Sequence, residues 1–326
     1  MAELSMSRAI NQALDLALAA DPSVIILGED VADPAGGALK LTRGLSTKHG
    51  TARVRDTPIS ETAIIGAAIG AALGGLRPIA EIMFMDFLMV CMDQVANHAA
   101  KLRYMSGGRT GVPMTIRTAV AAGRSFGAQH SQSLEGWLMH TPGINVVCPS
   151  TPADAKGLLT ACIEDDDPCV FMELLALLGV RGEVPEGRHV VPLGSAAVRR
   201  PGTDVTVVAW GLTVAAALAA ADVLAAEDVD VEVLDLRSLA PLDRASILAS
   251  IGRTRRAVVA HAAVGIAGPG AEIASMITEE LWGTLERPVA RLGAAPSPVP
   301  FAPELEAVYY PTAESIAAAV RAMSAS

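Results

Sequence analysis

Short, continuous runs of β-branched and apolar residues recur along this chain, and helical stretches separate them. The first half carries "VIIL" (24–27), "PIAEIM" (78–83), "PMTIRTAV" (113–120), "INVVCPS" (144–150) and "CVFME" (169–173). A strand apolar at every position has no face to offer water, so it must be covered on both sides. With helices between such strands, this predicts parallel sheets sandwiched by helices. "SRAINQALDLALAADP" places Ile10, Leu14 and Leu18 four apart and stops at Pro22, an amphipathic opening helix. Further helices are expected after Glu61, through "FLMVCMDQVANHAAKLRYM", and from Thr151 and Pro152, an N-cap residue with proline in the first turn. Residues 179–194, "GVRGEVPEGRHVVPLG", are rich in Gly, Pro and charge and read as a linker. A second alternation follows, with "DVTVVAWG", "VDVEVLDLR", "RAVVAHA" and "PVARLGA" as strands and helices near 243–252, near 270–285 and from Ala313. The expected architecture is α/β in two domains, each a mostly parallel sheet with helices on both faces. The boundaries are 1–185 and 195–326, joined by a linker at 186–194.

Composition excludes several functions. At 326 residues the chain can build one large or two ordinary domains. With 51% hydrophobic and 18% charged residues it is not a disordered chain. A net charge of −10 argues against nucleic acid or an anionic membrane as partner, and 3% aromatics against base-stacking platforms. Thr62 to Leu76 is an uncharged run of 15 residues, short of the roughly 20 that span a bilayer. Val205 to Ala221 is 17 residues, and Gly211 breaks it into a strand and a helix. No signal-peptide succession opens the chain, and Cys91, Cys148, Cys162 and Cys169 lie in apolar contexts without a CxxC pair. Reduced, buried thiols in a cytoplasmic protein are expected.

No GxSxG elbow, Walker loop, HExxH or strand-following GxGxxG is present. "GIAGPGAE" (265–272) either makes a tight turn, the commoner outcome, or holds an anion on its amides. The sharper signal is "DTPISETA" (56–63), followed by "IIGAAIGAALGGLR", which carries no charge until Arg77 closes it. That helix has no polar face and is expected to be buried all round. Glu61 stands at its mouth, where a parallel-sheet protein gathers its ligands. Burial would raise its pKa and the helix N-terminus would lower it. The alternative is an acid that merely complements the helix dipole, worth roughly 0.3–1 kcal/mol. His130, in "GAQHSQSLEGW", is either a general acid or base in a loop or a surface residue, with Ser131 or Ser133 capping the helix after it. His49, His98, His140, His189 and His261 show no metal-ligand spacing. The acid run "IEDDDP" (163–168) is a solvated helix end, or it meets a cation through carboxylate and carbonyl oxygens.

Taken together, "RDTPISE", "GLRPIAEIMFMDF", "DQVANHAAKLRYMSGG", "AQHSQSLE", "PGINVVCPSTPADAKGLL", "DDDPCVFME", "VEVLDLRSLAPLD" and "PVPFAPELE" resemble, in order, the β chains of thiamine-diphosphate-dependent 2-oxo acid dehydrogenases. This is the transketolase-like family, and the resemblance runs from about Met6 to Ala322. "EIMFMDF", "KLRYMSGG" and "GEVPEG" are most similar to acetoin dehydrogenase β chains. The resemblance implies a pyrimidine-binding domain followed by a transketolase C-terminal-like domain. It implies that Glu61 hydrogen-bonds a ring nitrogen of the cofactor's aminopyrimidine, promoting the imino tautomer that deprotonates the thiazolium carbon. A dry site magnifies such polarisation. Phe87 would pack on that ring with Ile59 and Met83 lining the pocket, and His130 would face the thiazolium and serve acyl transfer to a lipoyl group. Met114, Cys162, Ile163, Asp165 and Asp167 match positions that hold a structural potassium ion in family members.

The family's "GDG" segment, which with an asparagine binds the diphosphate and Mg2+, is absent. The resemblance therefore implies an α chain that holds the metal and completes the site, in an α2β2 heterotetramer, and a lipoyl acyltransferase contacting residues 195–326. Two departures stand out: "LLALLGV" after Glu173 in place of His-Lys and Tyr, and Ala262 and Gly265 in place of an acid and a base. The expected function is the β subunit of an enzyme that cleaves acetoin or decarboxylates a 2-oxo acid and passes the acyl group to lipoamide. The alternatives are the small subunit of a split transketolase or acyloin-forming carboligase, and a catalytically idle assembly partner.

Overall fold

The computed structural model describes residues 1–324. The chain forms two compact units, one from Met1–Val120 with Trp137–Leu193, the other from Ala121–Gly136 with the chain from Gly194 onward. It thus passes between units at 120/121, 136/137 and 193/194, where linear reading expects one passage near 190.

In chain order the first unit contains β1 (Ala2–Ser5), α1 (Met6–Ala20), β2 (Val24–Gly28), α2 (Leu45–His49), β3 (Val54–Asp56), α3 (Glu61–Leu73), β4 (Arg77–Phe84), α4 (Leu102–Met105) and β5 (Thr115–Val120). The short α5 (Glu135–Met139) leads back into it, followed by β6 (Asn145–Val147), α6 (Pro152–Glu164), β7 (Cys169–Leu174) and β8 (Arg181–Val184). Its main sheet is parallel, in the order β6-β7-β5-β4-β2-β3. Every residue of β2, β5 and β7 is buried, as continuous apolar runs require. Ser5 caps α1 by accepting the Arg8 amide at 3.3 Å, and Thr151 caps α6 by accepting that of Asp154 at 3.2 Å.

Three expectations need correction. Part of the Gly/Pro-rich 179–194 segment is a strand: β8 pairs antiparallel with β1, Ala2 opposite Val184. The long helix expected from Phe87 to Met105 is broken into a 3-10 segment (Met85–Cys91), a π segment (Gln94–Ala99) and α4. The three-residue repeat of the 3-10 turn puts Met85, Leu88 and Cys91, all buried, on one face. Finally, α3 is not buried all round. Ile64, Ile65, Ala68, Ile69 and Ala72 face inward, whereas Thr62, Ala63, Ala67, Gly70 and Leu73 are open. A helix apolar on every side still has only one side within reach of its own sheet, and the other remains an uncovered apolar face.

The second unit contains β9 (Ala197–Arg200), β10 (Val205–Ala209), α7 (Leu212–Ala225), β11 (Val231–Asp235), β12 (Ser238–Ala240), α8 (Arg244–Thr254), β13 (Ala257–Val264), α9 (Pro269–Glu280), β14 (Ala290–Ala294), α10 (Pro303–Glu306) and α11 (Ala313–Ser324). Its sheet order is β14-β13-β10-β11-β9, parallel except for β9, which runs antiparallel at the edge. The core joins Val205, Val207 and Val233 of the sheet to Val214 and Leu224 of α7 and Ile316 and Val320 of α11. The glycines before α9 serve close packing: a Cβ on Gly268 would fall 2.3 Å from the Val264 carbonyl oxygen. All four cysteines are free and buried. Among the described residues no helix is long and apolar enough to cross a membrane.

Candidate active site

In the first unit, side chains with chemistry gather at the carboxyl ends of β3, β2 and β4, where Asp56 and Glu81 both pair in register with Gly28. The Thr57 amide donates to the Gly28 carbonyl at 2.9 Å, and Asp56 accepts the Ala32 amide at 2.7 Å. These bonds fix the Pro turn that leads into α3. Glu61 opens that helix, half-buried, and its carboxylate takes no hydrogen bond or ion pair among the described residues. Its charge is felt nearby: burial first, and then Glu61, push the Cys91 thiol up to about 12. Glu29 is likewise raised, by burial and then by Glu61, Asp30 and Glu81.

Ile59 is 81% exposed, and Met83 and Phe87 are half-buried. Phe87 meets Phe84 edge to face, with ring centroids 5.9 Å apart. Because α3 packs on β4 and on the 3-10 segment, the chain that bears Met83 and Phe87 adjoins the helix that bears Glu61. These residues border the open apolar face of α3, which continues through Leu73, Met89 and Val90, exposed by 49%, 40% and 60%.

Beneath this mouth lies an ionic cluster that the sequence reading missed. Arg117 of β5 is fully buried and donates to Glu81 at 2.8 Å and to Glu173 at 2.7 Å. Burial, together with the charge of Glu81, outweighs Arg117 and pushes the Glu173 carboxyl up to about 7. The signal was available as one arginine inside the apolar strand "TIRTAV". Gly37, at φ +79°, passes so close that a Cβ there would come within 3.2 Å of a Glu81 carboxylate oxygen.

The residues matched to a potassium site present a different electrostatic solution. Arg77 donates to the carbonyls of Ile163 and Asp165 at 3.1 and 2.8 Å, and at 2.5 Å to the Asp166 carboxylate. Arg103 pairs with Asp167, and the Met114 carbonyl accepts the Cys169 amide at 3.0 Å. Two guanidiniums thus meet the acid run. Among the described residues no group of three or more His, Cys, Asp or Glu side chains is arranged to hold a metal ion.

His130 belongs to the second unit, on the segment 121–136. It is half-buried, and its ring lies 6.5 Å from that of Phe126. Glu306, 4% exposed, anchors the segment by accepting the amides of Gly123 at 2.9 Å and Ser125 at 2.6 Å. Phe301 packs where a Cβ on Gly127 would approach within 3.4 Å, and Gly127 has φ +75°. The "PVPFAPELE" stretch is therefore the anchor of the histidine loop. Deeper in this unit, Glu135, raised by burial, accepts the Trp210 indole N–H at 3.2 Å. Trp210 stacks on His261 with centroids 5.1 Å apart, and burial pushes that imidazole down to about 4.

Two doubly covered α/β units, with acids at the carboxyl ends of the first parallel sheet, define a transketolase-like chain. The model of the transketolase pyrimidine-binding domain matches residues 2–179 and that of the transketolase C-terminal domain matches 194–316, and the chain belongs to this family. Its relatives are β subunits. It is 47% identical to the β subunit of acetoin:2,6-dichlorophenolindophenol oxidoreductase of Cupriavidus necator, over 98% of this chain and 97% of that one. Identity is 46% with the same subunit of Bacillus subtilis, over 96% and 95% of the two chains. It is 41% with the 2-oxoisovalerate dehydrogenase β subunit of Pseudomonas aeruginosa, over 98% and 94%. Among solved structures, a split-gene transketolase described as an inactive β4 tetramer superimposes with a TM-score of 0.80 at 26% identity, covering 98% of each chain. Transketolase from Leishmania mexicana shares the fold, with a TM-score of 0.72 at 18% identity, over 99% of this chain and 46% of that one.

Proposed function

We propose that this chain is the cytoplasmic β subunit of a thiamine-diphosphate-dependent oxidoreductase that cleaves acetoin or decarboxylates a 2-oxo acid, passing the acyl group to lipoamide. The observation that carries this is Glu61, a half-buried carboxylate with no hydrogen-bond or ion-pair partner among the described residues, at the rim of an uncovered apolar face. Such a group calls for a ligand that accepts its charge. When bound, thiamine diphosphate supplies a carbon nucleophile for the substrate carbonyl.

Glu61 would present a carboxylate oxygen to a ring nitrogen of the cofactor and hold a proton there. Phe87, Met83 and Ile59 would supply the apolar walls that strengthen this contact by excluding water. His130 would hold or deliver a proton during acyl transfer, in the orientation set by the Glu306-anchored loop. The chain has no "GDG" segment for a diphosphate and Mg2+. An α subunit would bring both and cover the open side of α3, in an α2β2 assembly. A lipoyl acyltransferase would dock on residues 195–326. The domain limits 1–185 and 195–326, with 186–194 between, are kept as functional limits. A potassium ion at 162–167 would have to share the Ile163 and Asp165 carbonyls with Arg77.

The small subunit of a split transketolase is the second reading, favoured by the superposition at TM-score 0.80. Identity of 47% with an acetoin oxidoreductase β subunit, against 26%, favours the first. Glu61→Gln decides the mechanism. Turnover of the assembled enzyme should fall by about 10²- to 10⁴-fold with the melting curve unchanged; full activity removes Glu61 from the chemistry.

A further inference from the structure

His130 sits on a loop that folds back on itself, its carbonyl accepting the Ala121 amide at 3.2 Å. Five residues before it, Ser125 is held by Glu306. Five residues after it comes Glu135, 1% exposed, whose Oε1 accepts the Trp210 indole N–H at 3.2 Å. The other carboxyl oxygen, Oε2, is buried with no hydrogen-bond partner among the described residues. Trp210 is itself buried and stacked on His261, so β10 and β13 fix the point at which Glu135 is held.

Among the described residues no cation pairs with this carboxyl. The titratable group of the cluster is His261, across the Trp210 ring; burial keeps its imidazole neutral, pushed down to about 4, and Arg291 of β14 adds to that. The turn into α9 meets this corner through Ala267 and Pro269, beside Gly136, and through Gly268 and Gly270, against the His261 ring. All four are uncharged. A carboxylate buried without a compensating charge is costly, and such a group keeps its proton instead. Burial accordingly pushes Glu135 up, against its own backbone and the indole. We propose that Glu135, as the uncharged acid, is a positioning residue that ties the far end of the histidine loop to Trp210 and so sets where the His130 ring stands. That the ring matters to turnover rests on the role given to His130 above, whereas the neutral state of Glu135 and its hold on the loop do not.

The test compares Glu135→Gln, which copies the neutral acid's acceptor, with Glu135→Leu, which fills the space and leaves the indole N–H unmet. In infrared difference spectra of the full-length chain at neutral pH, the C=O stretch of a protonated carboxyl should vanish in Glu135→Gln. The NMR signals of the Trp210 indole N–H and the His130 ring should persist in Glu135→Gln and shift or broaden in Glu135→Leu. In the assembled enzyme, Glu135→Leu should lower turnover by about 10²-fold, the cost of a small misplacement, and Glu135→Gln should restore it. Trp210→Phe removes the donor, should disturb the His130 signal in the same way, and carries the test if Glu135→Leu does not fold. A protonated-carboxyl band that survives in Glu135→Gln, a Gln variant that behaves like the Leu variant, or a His130 signal indifferent to both Leu and Phe overturns the proposal. Disturbed His130 signals with unchanged turnover would uphold the hold by Glu135 and count against the role of His130 alone.

Discussion

The mouth of α3 and the loop around His130 differ in how completely this chain builds them. The first is open: Glu61 has no partner among the described residues, and Ile59, Ala63, Ala67 and Leu73 face outward. The second is closed: a buried glutamate from nearly two hundred residues downstream holds two of its amides. One region is shaped to be finished by another molecule, while the other is finished by its own fold.

The largest expected effect tests the open side. Ala67 is exposed, so Ala67→Glu should leave the isolated chain as stable as before. Burying that charge against an α subunit should weaken assembly by at least about a hundredfold in analytical ultracentrifugation. Normal assembly would mean that this face is not the joint. Next comes the closed side. Glu306→Ala deprives the part-buried amide hydrogen bonds of Gly123 and Ser125 of their carboxylate and should lower unfolding stability by about 1.5–3 kcal/mol in denaturant titrations. The assembled variant should also lose turnover with the signal of Phe126 and His130 broadened in NMR; an unchanged loop would demote Glu306 to a bystander.

The smallest effect concerns the ionic floor beneath the mouth. The Glu173 carboxyl, at about 7 in the fold against an ordinary 4.5, binds more protons folded than unfolded. Its contribution to stability is therefore full below pH 4.5 and is lost as pH rises through about 7. Glu173→Gln should flatten that part of the stability curve, and an unaltered slope would show that the proton resides elsewhere in the cluster with Glu81 and Arg117.

The fold was legible because "VIIL", "TIRTAV" and "CVFME" each announce a strand buried on both faces, a local property of the text. The antiparallel β9 and the β1–β8 pair were not, since pairing depends on partners far along the chain. The same holds for the segment 121–136, whose place is set by Glu306 rather than by its own residues. In the candidate site, Glu61 stood out by its position at a helix start, His130 was open between an acid–base and a surface role until the resemblance weighed in, and Phe87 was named only through resemblance. Glu29, Glu81 and Glu173 were hidden because an acid after or inside a strand looks the same whether it faces water or an arginine. The opened side of α3 was misread for a related reason: an apolar helix states that it needs cover but not which chain will provide it.

The anchoring of the histidine loop by Glu306 ties that loop to a side chain nearly two hundred residues further along the chain. A truncation before residue 306 would spare every residue of the α3 mouth while removing the loop's anchor together with α11, whose Ile316 and Val320 pack in the core of the second unit, so the loop and that core would be lost in one stroke.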